Sequence, residues 1–203
     1  EYPDLECDHY IIDIGSAKLA LTPQIFDVVV TLNLYGDIIS DIVAEVSGSV
    51  GLAGSGNIGT EYAMFEAIHG SAPQMEDKSQ ANPCGILSSS IMMLAHMGHG
   101  TIAANIHNAL LKTLEDGVAT PDIYDNHSKV KCNANEFAKH VIENLGELPK
   151  KLKQKQYPDF VFDENGVGDI KLVTQKQVSE KTIGVDFYIS CTKESRTFYD
   201  EIS

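Results

Sequence analysis

Asp27-Val28-Val29-Val30-Thr31-Leu32, running into Asn33-Leu34-Tyr35-Gly36-Asp37-Ile38-Ile39-Ser40-Asp41, is the stretch on which the reading of the fold turns. Its first six residues are a β-branched apolar run of the kind found in strands covered on both faces. Gly36 then breaks the chain, and a helix is predicted over about 37–47. Ile39, Ile42, Val43 and Val46 give it the i, i+3, i+4, i+7 stripe. The same alternation extends to both sides. Upstream, Tyr10-Ile11-Ile12 reads as a short strand ending at Asp13, with a helix after it, and Thr22-Pro23 carries a helix-start signal. Downstream, the strand Ala63–Ile68 ends at His69-Gly70, and a polar loop runs from Ser71 to Pro83. Two helices follow, carrying Leu87, Ile91 and Leu94, then Ile102, Ile106, Leu110 and Leu114, with another near Glu136–Asn144. Strands alternating with helices define an α/β protein.

The whole sequence fits a globular chain of this class. Its 203 residues are 43% hydrophobic and 22% charged, with a formal net charge of −14. That sign argues against a nucleic-acid partner. Residues 1–48 hold nine acids against the single base Lys18, a block that favours cations or a solvated face. Arg196 is the only arginine, so a self-contained site for a polyanionic substrate is not expected. Cys7, Cys84, Cys132 and Cys191 are too widely spaced for a zinc or CxxC motif and read as thiols of a reducing compartment, cytoplasm or mitochondrial matrix. The uncharged run 79–111 is broken by His96, His99, Asn105 and its serines short of the about 20 apolar residues of a membrane span. No basic-then-apolar leader follows Glu1, so no signal peptide is expected. Between Gly146 and Tyr157, Pro149 and four lysines read as a linker, and Val185–Ile189 alternates like a strand of a further small domain.

Three features carry chemistry. Asp37 and Asp41 lie one helical turn apart and share a face opposite the apolar stripe. With no cation beside them they repel unless a metal ion sits between, although a solvated helix face has the same pattern. Asp13, at the end of a strand, supplies a third carboxylate, and three would suit Mg²⁺ or Mn²⁺. Second, Gly54-Ser55-Gly56-Asn57-Ile58-Gly59 matches GxGxxG, but a helix precedes it and a strand follows, the reverse of the dinucleotide fingerprint. It is a decoy on this reading. Third, His69-Gly70-Ser71-Ala72-Pro73 sits at a strand's carboxyl end, where α/β folds place ligands, and where a plain turn is also common.

Asn33–Asp41 with its glycine-rich sequel to Leu52, together with Phe65–Pro73 and Ala81-Asn82-Pro83, resembles the signatures of the β-decarboxylating dehydrogenases that act on isocitrate, homoisocitrate, 3-isopropylmalate and tartrate. The likeness runs from residue 1 to about 147, and Asn57-Ile58-Gly59 and Glu66-Ala67 are most similar to the isocitrate dehydrogenases. It implies the isocitrate/isopropylmalate dehydrogenase-like fold, not a Rossmann fold, here in part and followed by the start of a small C-terminal α+β domain. Residues 1–47 would belong to the smaller, dimer-forming domain and 48–147 to the larger, with a linker at 148–160 and the extra domain from 161 to 203.

The resemblance implies roles as well. Asp37 and Asp41 match metal ligands of one subunit, and Asp13 matches the ligand lent by the other subunit of a homodimer. The Mg²⁺ or Mn²⁺ would bind the substrate's hydroxyl and α-carboxylate while isocitrate is oxidised to oxalosuccinate and decarboxylated to 2-oxoglutarate. His69, Gly70, Ser71, Ala72, Pro73, Gln74, Met75 and Asn82 match the adenosine side of the cofactor site, and Glu66 lies near the nicotinamide end. The catalytic tyrosine and lysine and the substrate arginines of the family fall upstream of Glu1, so these residues alone are expected to be inactive. A 3-isopropylmalate or homoisocitrate substrate, or a regulatory subunit, is the alternative. Cofactor choice is read from five positions. Gln74, Met75, Pro121, Asp125 and Thr22 all lack the groups that read a 2′-phosphate in the relatives that use NADP, which favours NAD.

Overall fold

The computed structural model describes residues 5–76 and 79–159, all within the first of the two units into which the chain divides, Glu1–Gly168. The strand expected at 185–189, the C-terminal domain, Cys191, Arg196, Asp77 and Lys78 lie outside the described residues.

Two helices open the chain. Helix α1 spans Ile12–Leu21, with Asp13 in its first turn and Lys18 in its last, each sign at the end of the helix dipole that favours it. Residues 10–12, expected as a strand, instead lead straight into this helix. The proline signal at Pro23 yields only a 3-10 turn, Pro23–Ile25. Helix α2 spans Asn33–Val46, so it begins four residues before the expected start and runs through Gly36. The segment 27–32 belongs to no helix and no sheet among the described residues. A strand persists by pairing, and among the described residues no neighbouring strand supplies the ladder; Val28 and Val30 are accordingly 81% and 92% exposed. Helices α1 and α2 pack on each other, burying Leu19, Ile39 and Ala44, and α2 reaches the rest of the chain at the turn Val50–Leu52.

The main core follows. Strands β1 (Gly54–Ile58) and β2 (Ala63–Ala67) form an antiparallel hairpin, with Ser55 opposite Glu66. The glycine-rich run is therefore a strand, not a turn into a helix. Gly54 has a packing reason: a Cβ there would lie 2.6 Å from Ser89 Oγ and 2.8 Å from the Gly85 carbonyl, both on helix α3 (Cys84–His96). Gly85 returns the contact, since its Cβ would meet the Ala53 carbonyl at 2.8 Å. Hairpin and helix thus touch backbone to backbone. Helix α4 (Gly100–Glu115) packs on α3, and α5 (Ala134–Glu143) on α4. Ile91, Ala103, Ala109, Leu110, Phe137 and Val141 fill the space between them. Helix α5 starts with a capping box, Asn133 Oδ1 accepting from the Glu136 N–H at 3.0 Å and Glu136 Oε2 from the Asn133 N–H at 2.9 Å. Strands β3 (Val118–Ala119) and β4 (Val130–Lys131) add a short parallel pairing.

The stretch read as a linker is tied along α4. The N–H groups of Lys150, Lys151 and Leu152 donate to the Glu115 carboxylate, Asn108 exchanges two hydrogen bonds with the Lys155 backbone, and Asp159 accepts from the Thr101 N–H and hydroxyl. The Tyr157 hydroxyl lies 2.7 Å from His107 Nδ1, and the two rings stack. The Lys151 N–H above all, with its neighbours and Lys112, holds the Glu115 carboxyl below its ordinary range against some desolvation. Burial, then the nearby Lys155 ammonium, lowers the His107 pKa.

The pH dependence follows in two steps. A histidine depressed in the fold contributes stability that is whole above its unfolded value of 6.5 and declines as pH falls below it. The Glu115 contribution is whole above 4.5 and declines as pH falls through its lowered folded value. Amide protection of residues 150–157 is expected to weaken as pH falls below 6.5, and again below 4.5. His107→Gln should abolish the first step alone; a step of unchanged size in that variant would refute the assignment.

Candidate functional site

The carboxylates stand on the two opening helices. Asp37 and Asp41 are exposed on α2, on the side away from the buried Ile39, and among the described residues neither carboxylate has a hydrogen-bond or ion-pair partner. Asp13 is exposed in the first turn of α1, where its Oδ1 accepts from the Ile14 N–H at 2.6 Å. Among the described residues, no three His, Cys, Asp or Glu side chains converge within one chain. The pair on α2 offers hard oxygen donors free of competing cations, which fits Mg²⁺ or Mn²⁺ as part of a site and leaves the remaining positions to other donors.

The loop after β2 is built from its strand outward. The Glu66 carbonyl accepts from the hydroxyls of Ser55 at 3.2 Å and Ser89 at 2.5 Å, and its side chain accepts from Asn57 Nδ2 at 3.2 Å. Ile68 is held by an N–H bond to the Ala53 carbonyl, and His69, Gly70 and Ser71 follow, with Gly70 and Ser71 exposed. His69 Nδ1 lies 2.8 Å from the Gly70 carbonyl. A carbonyl only accepts, so this bond puts the proton on Nδ1 and leaves Nε2 of the neutral ring as an acceptor. A Cβ on Gly70 would meet nothing within 4 Å, so the chain's own packing does not require glycine there; the bare backbone suits a ligand's close approach. Ala72 takes a left-handed conformation (φ 42°) that sets up the 3-10 turn Pro73–Met75, leaving Gln74 exposed and Met75 half-buried. Ser79 is left-handed as well (φ 50°), and its carbonyl accepts from the Ala134 N–H at the start of α5.

Asn82 differs from its neighbours. It is 7% exposed, its Oδ1 accepts from the Cys84 N–H at 2.9 Å, and its Nδ2 donates to Asp122 Oδ2 at 3.0 Å. Asp122 also accepts from the hydroxyls of Thr120 and Ser49. Burial pulls its carboxyl upward, yet these hydrogen bonds outweigh it and hold the pKa below the ordinary value. Nothing in the sequence pattern marks Ser49, Thr120 and Asp122: the first is far from the others in the chain, and no motif spacing connects them. Asp125, one of the five positions from which cofactor choice is read, is occupied locally: its Oδ1 accepts from the N–H groups of His127 and Ser128, and hydrogen bonds from these two residues lower its pKa. His96 closes α3 with its ring 5.5 Å from that of Phe65.

Residues 1–141 match the family model of isocitrate/isopropylmalate dehydrogenases. The chain is 55% identical over 192 residues to an isocitrate dehydrogenase [NADP] of Rickettsia typhi, covering 94% of this chain and 39% of that one. A solved structure, the TT0538 protein of Thermus thermophilus, superposes with a TM-score of 0.71 at 42% identity over 78% of this chain and 32% of that one. Isocitrate dehydrogenase from Methylococcus capsulatus gives a TM-score of 0.67 at 42% identity, covering 71% of this chain and 42% of its own. The chain spans about two fifths of the length of the Rickettsia relative.

Proposed function

Because the chain belongs to the isocitrate/isopropylmalate dehydrogenase family, we propose that it is part of an enzyme that oxidises and decarboxylates isocitrate to 2-oxoglutarate and CO₂ with NADP. The observation that carries the reading is the 55% identity, across 94% of the chain, to a protein named isocitrate dehydrogenase [NADP]. When bound, the divalent cation supplies a Lewis acid for the substrate's hydroxyl and carboxylate oxygens, and the dinucleotide supplies the acceptor for the hydride.

The chain's own residues have defined tasks on this reading. Asp37 and Asp41 hold the cation from one subunit, and Asp13 completes the set from the other. His69–Met75 line the adenosine side of the cofactor, with Gly70 admitting it closely, while Glu66 stands toward the nicotinamide end. Exposed Leu21, Leu34 and Val46, and an apolar groove of about 360 Å³ lined by Leu19, Phe26, Val29, Ile39 and Val43, support α1 and α2 as the homodimer face. Residues 1–47 and 48–147 are then parts of a smaller and a larger domain, joined by 148–160 to a C-terminal domain. Among the described residues the exposed Cys7 and the buried thiols Cys84 and Cys132 are unpaired, in keeping with a reducing compartment, cytoplasm or mitochondrial matrix. Among the described residues no helix is long and apolar enough to cross a membrane.

The preference for NADP reverses the one drawn from sequence. In the full-length protein, kcat/KM should be at least about tenfold higher with NADP than with NAD, worth about 1.4 kcal/mol, and higher for isocitrate than for 3-isopropylmalate. A preference for NAD would overturn the cofactor assignment, and a preference for 3-isopropylmalate the substrate.

A further inference from the structure

The loop proposed to bind the cofactor ends at Asn82, and the structure engages that side chain inside the protein. Each polar atom of its amide makes one hydrogen bond inside the protein, Oδ1 to the Cys84 N–H and Nδ2 to Asp122. Asp122 in turn takes hydrogen bonds from Ser49, which follows the helix carrying Asp37 and Asp41, and from Thr120, which follows β3. One carboxylate thus joins three segments that are distant in sequence: the exit of the metal-bearing helix, the end of the cofactor loop and the edge of the helical core. We infer that Asp122 is a positioning residue for the cofactor, holding the 79–83 end of the loop in register through Asn82, and that Asn82 acts through this pair rather than through its side chain on the dinucleotide.

The inference rests on the reading of residues 69–82 as the cofactor loop. Physical chemistry gives it a specific signature. An Asn82→Asp change places two carboxylates face to face, and Asp122→Asn sets an amide donor against the Asn82 amide donor or reverses the Thr120 bond and leaves that hydroxyl's hydrogen without its acceptor. Combining Asn82→Asp with Asp122→Asn exchanges the two roles. The carboxylate now at position 82 would still accept from the Cys84 N–H, and would accept from the amide nitrogen now at position 122. The amide oxygen at position 122 would remain to accept from Thr120, and the Ser49 hydroxyl, which can donate or accept, would turn to suit. A buried network fails when half satisfied and recovers when redrawn whole.

The test uses the full-length protein in four forms: wild type, the two single variants and the double. Each single variant should raise the KM for NADP about tenfold, with kcat at saturating cofactor and the KM for isocitrate within about threefold of wild type, and the double should return to within about threefold. Amide exchange of residues 79–84 should quicken in both single variants and slow again in the double. The inference is overturned if the single variants leave the KM for NADP unchanged, if the double is no better than the worse single, or if KM for isocitrate and kcat worsen in step with it. A wild type active with neither NADP nor NAD overturns the proposed function, and the pair then stands or falls on the exchange data: equal rates in all four forms refute it.

Discussion

Replacing Asp41 by Asn in the full-length enzyme should cut turnover at limiting Mn²⁺ by more than the about 100-fold lost when a group that merely orients a metal ligand is removed. The carboxylate is exposed, has no partner among the described residues, and stands one turn from Asp37, so its loss leaves the fold intact and removes a donor. Asp13→Asn should do the same from the other helix. Mixing distinguishes a site shared between subunits from one built within a chain. On the proposed homodimer, the inactive Asp13→Asn and Asp41→Asn forms, dissociated and reassociated together, should regain about one quarter of wild-type activity, because half the dimers are mixed and each mixed dimer holds one intact site. No recovery in a sample shown to contain mixed dimers would place all three carboxylates in one chain's site or none.

Gly54→Ala should be the most damaging single methyl in the hairpin. Its Cβ would sit 2.6 Å from Ser89 Oγ, 2.7 Å from the Ser89 nitrogen and 2.8 Å from the Gly85 carbonyl, and the last two are backbone atoms of α3 that cannot turn aside. Overpacking of this kind costs about 1–3 kcal/mol. In a large domain that corresponds to a melting temperature lower by about 3–10 °C. The hairpin carries Glu66, so the KM for cofactor should rise as well. Gly70→Ala, whose Cβ meets nothing, is the control and should leave the melting temperature unchanged. Equal melting temperatures for wild type and Gly54→Ala would refute the backbone-to-backbone contact.

Periodic signals in the sequence survive into the structure, and signals that depend on partners do not. The stripe Ile39–Val46 belongs to a helix, and the strand at 63–67 and the three later helices lie where their apolar spacing puts them. The β-branched run 27–32 has strand propensity but, among the described residues, no strand beside it, and propensity alone makes no ladder. Gly36 has the chemistry of a breaker, yet one glycine inside a helix costs only about 1 kcal/mol, which packing against α1 offsets. Gly54–Ile58 is poor in strand formers and pairs because Ala63–Ala67 faces it. In the candidate site, Asp37, Asp41 and the loop from His69 are legible from spacing and motif. Ser49, Thr120 and Asp122 are not: a tie between residues brought together only by folding has no period to read.

The strap along α4 joins two scales of length. Its anchors on the helix, Glu115, Asn108 and Thr101, fall every seven residues, and its own anchors, centred on Lys151, Lys155 and Asp159, fall every four. Seven helical residues rise about 10.5 Å, and four residues of extended chain span about 12 Å. The two rows work as a vernier, whose marks coincide only in steps of seven against four. Between Lys150 and Asp159 the chain therefore has a reading frame of its own: one residue inserted or lost throws every later anchor out of step, whereas four gained with seven in the helix would extend the scale by one division.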